Sequence, residues 1–394
     1  MLFFFFMVLI FCLSFTYIGL RLIKPLQVNR FQKTGLWLFL FLLFTLPFVS
    51  MILNRTLFNK SVVHLLNWIG FTGLGFIALV FVLMIIRDLG LGLAAGFQKL
   101  VVLGEKFKKE HQSPPDPDRR ALMTQAVNLG LLGLSASGVG YGLFQARRKP
   151  QLIELDIPLK RLPRAFHGLR IAQFSDLHVG PTIKGDFVKT VVDEINNLHP
   201  DMITFTGDLV DGSVEILRDD VACPEGLKAP LGKFFITGNH EYYSGVYAWI
   251  EKVKQLGFDV LLNENRQIIR GDCALFIAGV TDYRAGGFTE QHPFNPEKAV
   301  AGIPQDRVKI MLAHQPKGVE RIADAGFDLQ ISGHTHGGQF FPGNLLARLD
   351  QPYISGLYKH QEMWVYVNSG TGYWGPPLRI GTRSEITLLR LLKA

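Results

Sequence analysis

The sequence predicts a chain in two parts: an all-α transmembrane region of about four helices, followed by a layered α/β domain. Three observations carry this. Apolar residues make up 48% of the 394 residues and charged residues only 19%, with the apolar excess at the front. From about residue 151, short apolar runs alternate with segments of helical periodicity, the pattern of a layered α/β fold. Several of those runs end in Asp, Asn or His, and ligands of such folds sit at the carboxyl ends of strands.

Residues 2–20, 36–53 and 62–86 are nearly uninterrupted apolar runs, the second with Pro47 inside it. Each is long enough to cross a hydrocarbon core roughly 30 Å thick, which takes about 20 helical residues. No basic segment precedes the first run and no small-x-small site follows it. A retained helix is therefore expected there, rather than a cleaved signal peptide. Residues 121–145 are a fourth, weaker candidate, with Gln125 and Asn128 inside and Gly138 and Gly142 at small-xxx-small spacing. Residues 88–104 are mildly apolar and are expected on the membrane interface. Residues 105–120 are charged, contain Pro114, Pro115 and Pro117, and read as a loop. The expected division is 1–146 for the membrane region and 151–394 for the soluble domain.

Arg21, Lys24, Arg30 and Lys33 mark the first loop as basic, and Arg87, Lys99, Lys106, Lys108, Lys109, Arg119 and Arg120 the third; the second holds only Arg55 and Lys60. The positive-inside rule then makes the first and third loops cytoplasmic. A multi-pass membrane protein is expected, with everything after Gln145 on the exoplasmic side. Arg119-Arg120 also resembles a twin-arginine export signal; ordinary flanking charge is the reading adopted. The net charge of +8 comes largely from these loops and from residues 147–149, so no nucleic-acid partner is expected. The spans hold His64 and Asn67 but no Asp, Glu, Lys or Arg, which argues against an ion pathway. Cys12 lies in the first run, and whether Cys223 and Cys273 pair depends on a proximity that sequence does not give.

In the second part, residues 153–159 alternate as an edge strand, and 169–174 form a short buried strand ending in Ser175, Asp176, Leu177 and His178. Residues 187–198 have helical periodicity. Strand 202–205 ends in Thr206, Gly207 and Asp208, with Asp211 three further on. Strand 233–236 leads to Asn239, His240 and Glu241, and 246–256 reads as a helix. A hairpin is expected over 258–270, then strands at 274–280 and 308–312, the latter ending at His314. A short helix near 318–325 precedes strand 329–332 and its glycine-flanked turn carrying His334 and His336. Strands at 364–367 and 385–392 complete the domain.

Asp176, His178, Asp208, Asn239, His240, His314, His334 and His336 thus all follow the end of an apolar strand. Any one of them alone is an ordinary turn or surface residue. Five of the chain's eleven histidines at four such ends, interleaved with Asp and Asn, point to one site. Alternation places His334 and His336 on one side of an extended backbone. Oxygen and imidazole donors without thiolate suit Mn, Fe or Zn in a hydrolytic centre. The set is too large for one open metal and fits two divalent ions about 3.5–4 Å apart that share a carboxylate.

The succession of Asp-Leu-His at 176–178, Gly-Asp-Leu-Val-Asp at 207–211, Gly-Asn-His-Glu at 238–241, His314 and Gly-His-Thr-His at 333–336 resembles the calcineurin-like metallophosphoesterase superfamily. The resemblance runs from about residue 153 to the C-terminus. It is strongest to a membrane-associated branch in which this last motif precedes an arginine, here Arg379, and a Glu-Ile pair, here Glu385 and Ile386. The front end resembles transmembrane proteins that carry such a domain at their C-terminus. The resemblance implies a layered β-sandwich flanked by helices. It implies one metal ion on Asp176, His178, Asp208 and His336, and a second on Asp208, Asn239, His314 and His334. His240, oriented by Asp211, would give a proton to the leaving group while a hydroxide bridging the metals attacks phosphorus. A phosphate mono- or diester or pyrophosphate of a small molecule or lipid is the expected substrate. Some relatives cleave a UDP-linked diacylated sugar, but that reaction needs a cytoplasmic site, contrary to the expected topology. A non-catalytic scaffold of the same fold is the remaining alternative, and the presence of both His240 and Asp211 argues against it. Tyr283, Phe288, Phe294, Tyr353, Tyr358, Tyr373 and Trp374 are candidates for an apolar pocket wall or for ordinary packing.

Overall fold

Long runs without a polar face favour helices, because a helix satisfies its backbone N–H and C=O groups within its own segment. The computed structural model describes residues 2–53, 59–104 and 117–394. It begins with four helices: α1 (Leu2–Leu22), α2 (Arg30–Leu53), α3 (Lys60–Gly104) and α4 (Pro117–Arg147). The chain divides into two units, Met1–Gly142 and Leu143–Ala394. Arg30–Leu53, Lys60–Lys99 and Asp118–Arg147 are long and apolar enough to cross a membrane, and Val8–Leu22 of α1 is apolar as well.

Residues 88–104 do not form a separate interfacial segment. They continue α3 as a single helix of 45 residues. Scattered glycines each cost a helix only about 1 kcal/mol against alanine, and the leucines and alanines between them sustain it. Of the loop expected over 105–120, residues 117–120 instead form the first turn of α4, where Pro117 suits the opening position of a helix; the rest lies outside the described residues, as does Arg55. Ile18, Leu40, Phe44, Ile77, Val80 and Met84 form the helical core. Gly138 does allow close packing: a Cβ there would lie 3.2 Å from Leu79 Cδ1.

The second unit contains β1 (Gln151–Leu159), β2 (Leu169–Phe174), β3 (Met202–Phe205), β4 (Lys233–Phe235), β5 (Asp259–Val260), β6 (Glu264–Arg270), β7 (Cys273–Gly279), β8 (Lys309–Leu312), β9 (Leu329–Ser332), β10 (Gly356–His360), β11 (Met363–Val367) and β12 (Glu385–Lys393). Its helices are α5 (Gly185–Asn197), α6 (Val214–Leu217), α7 (Asn239–Ser244), α8 (Val246–Gln255), α9 (Pro296–Ala299), α10 (Val319–Asp324) and α11 (Gly343–Asp350). One sheet has the order β1-β12-β2-β3-β4-β5, the other β10-β11-β9-β8-β7-β6. Ile171, Met202 and Phe234 of the first sheet meet Ile277, Ile310 and Ile331 of the second in a buried core. Val188, Val191 and Ile195 of α5 and Trp249 and Val253 of α8 cover the outer face of the first sheet over Phe174, Phe205 and Phe235. Val319 and Ile322 of α10 pack with Ala278, Met311 and Val365 of the second. The result is a four-layer α/β sandwich.

The hairpin expected over 258–270 does not form. β5 pairs in parallel with β4, whereas β6 joins the other sheet and pairs antiparallel with β7. The tight turn is instead Gly271-Asp272, between Arg270 and Cys273. Gly271 has φ +59°, the left-handed conformation favoured in two-residue hairpin loops. Cys223 and Cys273 are free thiols.

β2, β3 and β4 run parallel to one another, as do β7, β8 and β9. The carboxyl ends of the two parallel sets meet at one edge of the sandwich, and there the chain turns into loops.

Candidate metal centre

Those loops bring together every residue singled out from sequence. β2 delivers Asp176 and His178, β3 delivers Asp208, β4 delivers Asn239, β8 delivers His314, and β9 delivers His334 and His336. All of these except His334 are buried. Asp176, His178, Asp208, His334 and His336 have φ between 50° and 74°. A left-handed backbone at a residue with a β-carbon costs of order 1–3 kcal/mol and persists only where the surroundings over-determine it. Here they do: Asp176 N–H donates to Gly207 O at 3.0 Å and His178 N–H to Asp208 O at 3.1 Å. The β9 turn is therefore not the extended segment that alternation implied. Its backbone bends at both histidines and sends the two rings to different partners.

His336 Nε2 lies 3.0 Å from His178 Nε2 and 3.5 Å from Asp176 Oδ1. His334 Nδ1 lies 3.2 Å from His314 Nε2, which is 3.1 Å from Asp208 Oδ2. Asp208 also stands 3.8 Å from His178, so it joins the two groups. Asp176–His178–His336 and Asp208–His314–His334 are each close enough to hold a metal ion, and so is His178–Asp208–His240. Gly333 makes this approach possible, because a Cβ there would collide with Ser175 and Asp176.

Hydrogen bonds orient the rings. His314 Nδ1–H donates to Thr206 O at 2.6 Å, which turns Nε2 toward Asp208. Asp211 Oδ1 lies 2.5 Å from His240 Nδ1 and 3.2 Å from His178 Nδ1, so one carboxylate steers two imidazoles. Burial alone would lower the pKa of His240, but the carboxylates of Asp208 and Asp211 outweigh it and push it up to about 9. Burial and the adjacent His314 push His334 down to about 3. Burial opposes ionisation of Asp211, yet His178 and His240 hold it well below the usual carboxylate range.

Two positions received no role from sequence. Glu241 is fully buried, and its carboxylate accepts Asp208 N–H (3.0 Å), Leu209 N–H (2.8 Å) and Gly238 N–H (2.7 Å). It ties the Asp208 loop to the start of α7. Its place as the third residue of that helix, where a carboxylate can reach back to the preceding N–H, was the available signal. Arg379 is also fully buried and donates to the carbonyls of Gly370 (3.0 Å), Gly372 (2.6 Å) and His336 (3.3 Å). It clamps the β9 turn from behind. Among the aromatic candidates, Trp374 lies 5.6 Å from His240, and Phe288 reaches that side through Tyr243. Phe294 and Tyr373 are buried in the outer layers instead, and Tyr353 stacks on Tyr358.

The donors suit a divalent cation. Four imidazoles and two carboxylates converge with no thiolate, and pairs of ring nitrogens face one another at hydrogen-bond distance. Asn239 Oδ1 is buried with no hydrogen-bond partner, an arrangement that costs about 1–3 kcal/mol unless a cation or donor meets the oxygen.

Residues 169–338 match the sequence profile of the family described as Calcineurin-like phosphoesterase. A protein named "Transmembrane protein with metallophosphoesterase domain" from Danio rerio is 37% identical over 262 residues, 64% of this chain and 60% of its own length. The match thus spans less than two thirds of that relative. An uncharacterized metallophosphoesterase of Helicobacter pylori is 38% identical over 268 residues, 66% of this chain and 70% of its own. Another, from Campylobacter jejuni, is 29% identical over 99% of this chain and 98% of its own length, the helical region included.

Proposed function

Because the chain belongs to the calcineurin-like phosphoesterase family, we propose that it is a membrane-held hydrolase of phosphate mono- or diesters or pyrophosphates, acting with two divalent cations. The observation that carries this reading is the convergence of seven donors, including the orphaned Asn239 Oδ1, at the carboxyl ends of parallel strands. Asp176, His178, Asp208 and His336 would hold one cation; Asp208, Asn239, His314 and His334 would hold the other. When bound, such ions supply positive charge to the phosphoryl oxygens and lower the pKa of water at the site.

The remaining work falls to the protein. His240 projects Nε2 to within 4.0 Å of Asp208 Oδ2, while Asp211 holds Nδ1. In this reading His240 donates a proton to the leaving oxygen, and these distances support it. Asp211 keeps the ring fixed and stabilises its charge. The substrate class is a phosphorylated small molecule or lipid. Residues 1–146 would form the membrane region, and residues 151–394 would lie on its exoplasmic side.

The test is hydrolysis by the full chain in nanodiscs, screened against model esters, nucleotides and lipid phosphates with Mn²⁺, Zn²⁺ or Fe²⁺ and again after chelation. Turnover that chelation abolishes and metal restores is expected. Full turnover after complete metal removal refutes the proposal. A reporter fused after Ala394 and active only in the cytoplasm refutes the orientation.

A further inference from the structure

α11 is an anomaly among the helices of the catalytic unit. None of its eight residues is buried. Leu345, Leu346 and Leu349 are 52%, 60% and 84% exposed, and at 3.6 residues per turn they fall within roughly a 100° arc. Phe341, just before the helix, is exposed as well.

The helix is nonetheless held firmly, and next to the metal centre. Gly338, two residues after His336, has φ +82°, and a Cβ there would collide with the backbone of Asn344. Gly343 N–H donates to Phe340 O at 2.7 Å. At the other end, Asp350 binds Lys317 at 2.6 Å and Arg284 at 3.1 Å. Gln339 exchanges two hydrogen bonds of 2.9 Å with the Trp374 backbone. That tryptophan is exposed beside His240. The turn that carries the metal-binding histidines thus carries an apolar rim on its outer side.

The rim's chemistry points to its occupant. Leucine, phenylalanine and tryptophan beside arginine are the composition of a surface resting at a bilayer interface. At the surface, Arg284, Lys317 and Arg348 are three cations against the carboxylate of Asp350, with Asp282 buried and accepting Arg284 N–H at 2.9 Å; the remaining positive excess complements anionic headgroups. Only residues 148–150 separate α4, long and apolar enough to cross a membrane, from β1.

We propose that α11, with Phe341 and Trp374, is a membrane-contact surface that seats the mouth of the site on an anionic lipid bilayer, from which the site draws an amphipathic phosphorylated lipid. The second half of this statement rests on the proposed phosphohydrolase activity; the first does not.

Two measurements on the full chain in nanodiscs of phosphatidylcholine and phosphatidylglycerol test it. In a background with Cys12, Cys223 and Cys273 replaced by serine, Leu346→Cys carries an environment-sensitive fluorophore. Its emission should shift to the blue and be quenched at least about twofold by lipids brominated in the upper acyl chain. Water-like, unquenched emission overturns the membrane contact. The triple variant Leu345→Ser, Leu346→Ser, Leu349→Ser should lose about tenfold or more in kcat/KM on phosphatidic acid embedded in the disc, and change less than about twofold on p-nitrophenyl phosphate. Equal loss on both substrates, or on neither, overturns the delivery role. If the native chain with metal supplied hydrolyses neither substrate, the phosphohydrolase reading fails, and the fluorophore still decides the membrane contact.

Discussion

The polar cluster around Asp88 in the helical unit and the one around Asp208 in the other unit are opposites. In the helical unit, Asp88 accepts from Tyr17 OH at 2.7 Å and pairs with Arg21 at 2.7 Å and Arg87 at 2.8 Å. Arg87 also bonds Asn128, whose amide donates to Arg21 O at 3.1 Å. Every charge there has an opposite charge or a hydrogen-bond partner supplied by the chain. In the α/β unit, imidazole nitrogens face one another at 3.0 and 3.2 Å, and Asn239 Oδ1 has no partner. A cluster that closes upon itself ties helices together. A cluster left with surplus donors to a cation is equipped to bind something. Buried polar groups are costly unless satisfied, so the direction of the imbalance carries functional information that burial alone does not.

The strongest way to break this contrast is at Asp208, the residue common to the two proposed ligand sets. Asp208→Asn should abolish retention of both ions and reduce hydrolysis to background, because the amide offers one neutral oxygen in place of an anionic carboxylate. Elemental analysis of the purified variant checks it. Two ions per chain at native affinity would show that Asp208 does not bridge.

His240→Ala ranks next. Its ring contacts the site through Asp211 and faces Asp208 rather than completing either proposed ligand set. Metal content should stay near the native level while turnover falls about 10²–10⁴-fold, the usual worth of a positioned acid or base. Single-turnover rates beside metal analysis separate the two effects, and unchanged turnover would remove His240 from the chemistry.

How much of the open cluster could be read beforehand follows from its construction. Each side chain stands at the end of a short, fully apolar strand, and such runs are visible one by one. What strands do across a fold is not. Asn263 and Gly271 share the same φ of +59°, yet only the second closes a hairpin, and nothing local distinguishes a turn from a crossing between sheets. α11 and β10 went unseen because neither buries a regular apolar face. Sequence places Asp88 at the start of an interfacial segment because its partners Tyr17 and Arg21 belong to another helix, α1. The left-handed backbones at Asp176 and His178 have no sequence signal, since only the fold imposes them.

Glu241→Gln probes the support of the open cluster. The carboxylate accepts three backbone N–H groups with two oxygens. Glutamine must turn its NH₂ toward at least one of those donors, which leaves that N–H unsatisfied at a cost of about 1–3 kcal/mol. The displaced Asp208 loop should weaken metal binding about 10–100-fold, the scale for groups that orient ligands. Metal titration and thermal unfolding together check this. Native affinity with lowered stability would make Glu241 a purely structural residue.

The smallest expected effect on activity is also the most informative about the contrast. Asp88→Asn opens the closed cluster: one amide cannot accept from Arg21, Arg87 and Tyr17 and also oppose two guanidinium charges. Removing one partner of a fully buried pair costs about 3–5 kcal/mol. Arg21 is 53% exposed and can turn to water, so a loss of about 1–3 kcal/mol is expected. It should register as a lower unfolding temperature of the helical unit in nanodiscs, followed by a fluorophore on α4. Hydrolysis of a soluble ester should stay within about twofold, since the variant touches no group that meets substrate or metal. A large loss of turnover with an unchanged unfolding temperature would mean that the Asp88 cluster acts on the chemistry rather than on the packing of helices, and the distinction between closed and open clusters would fail for this molecule.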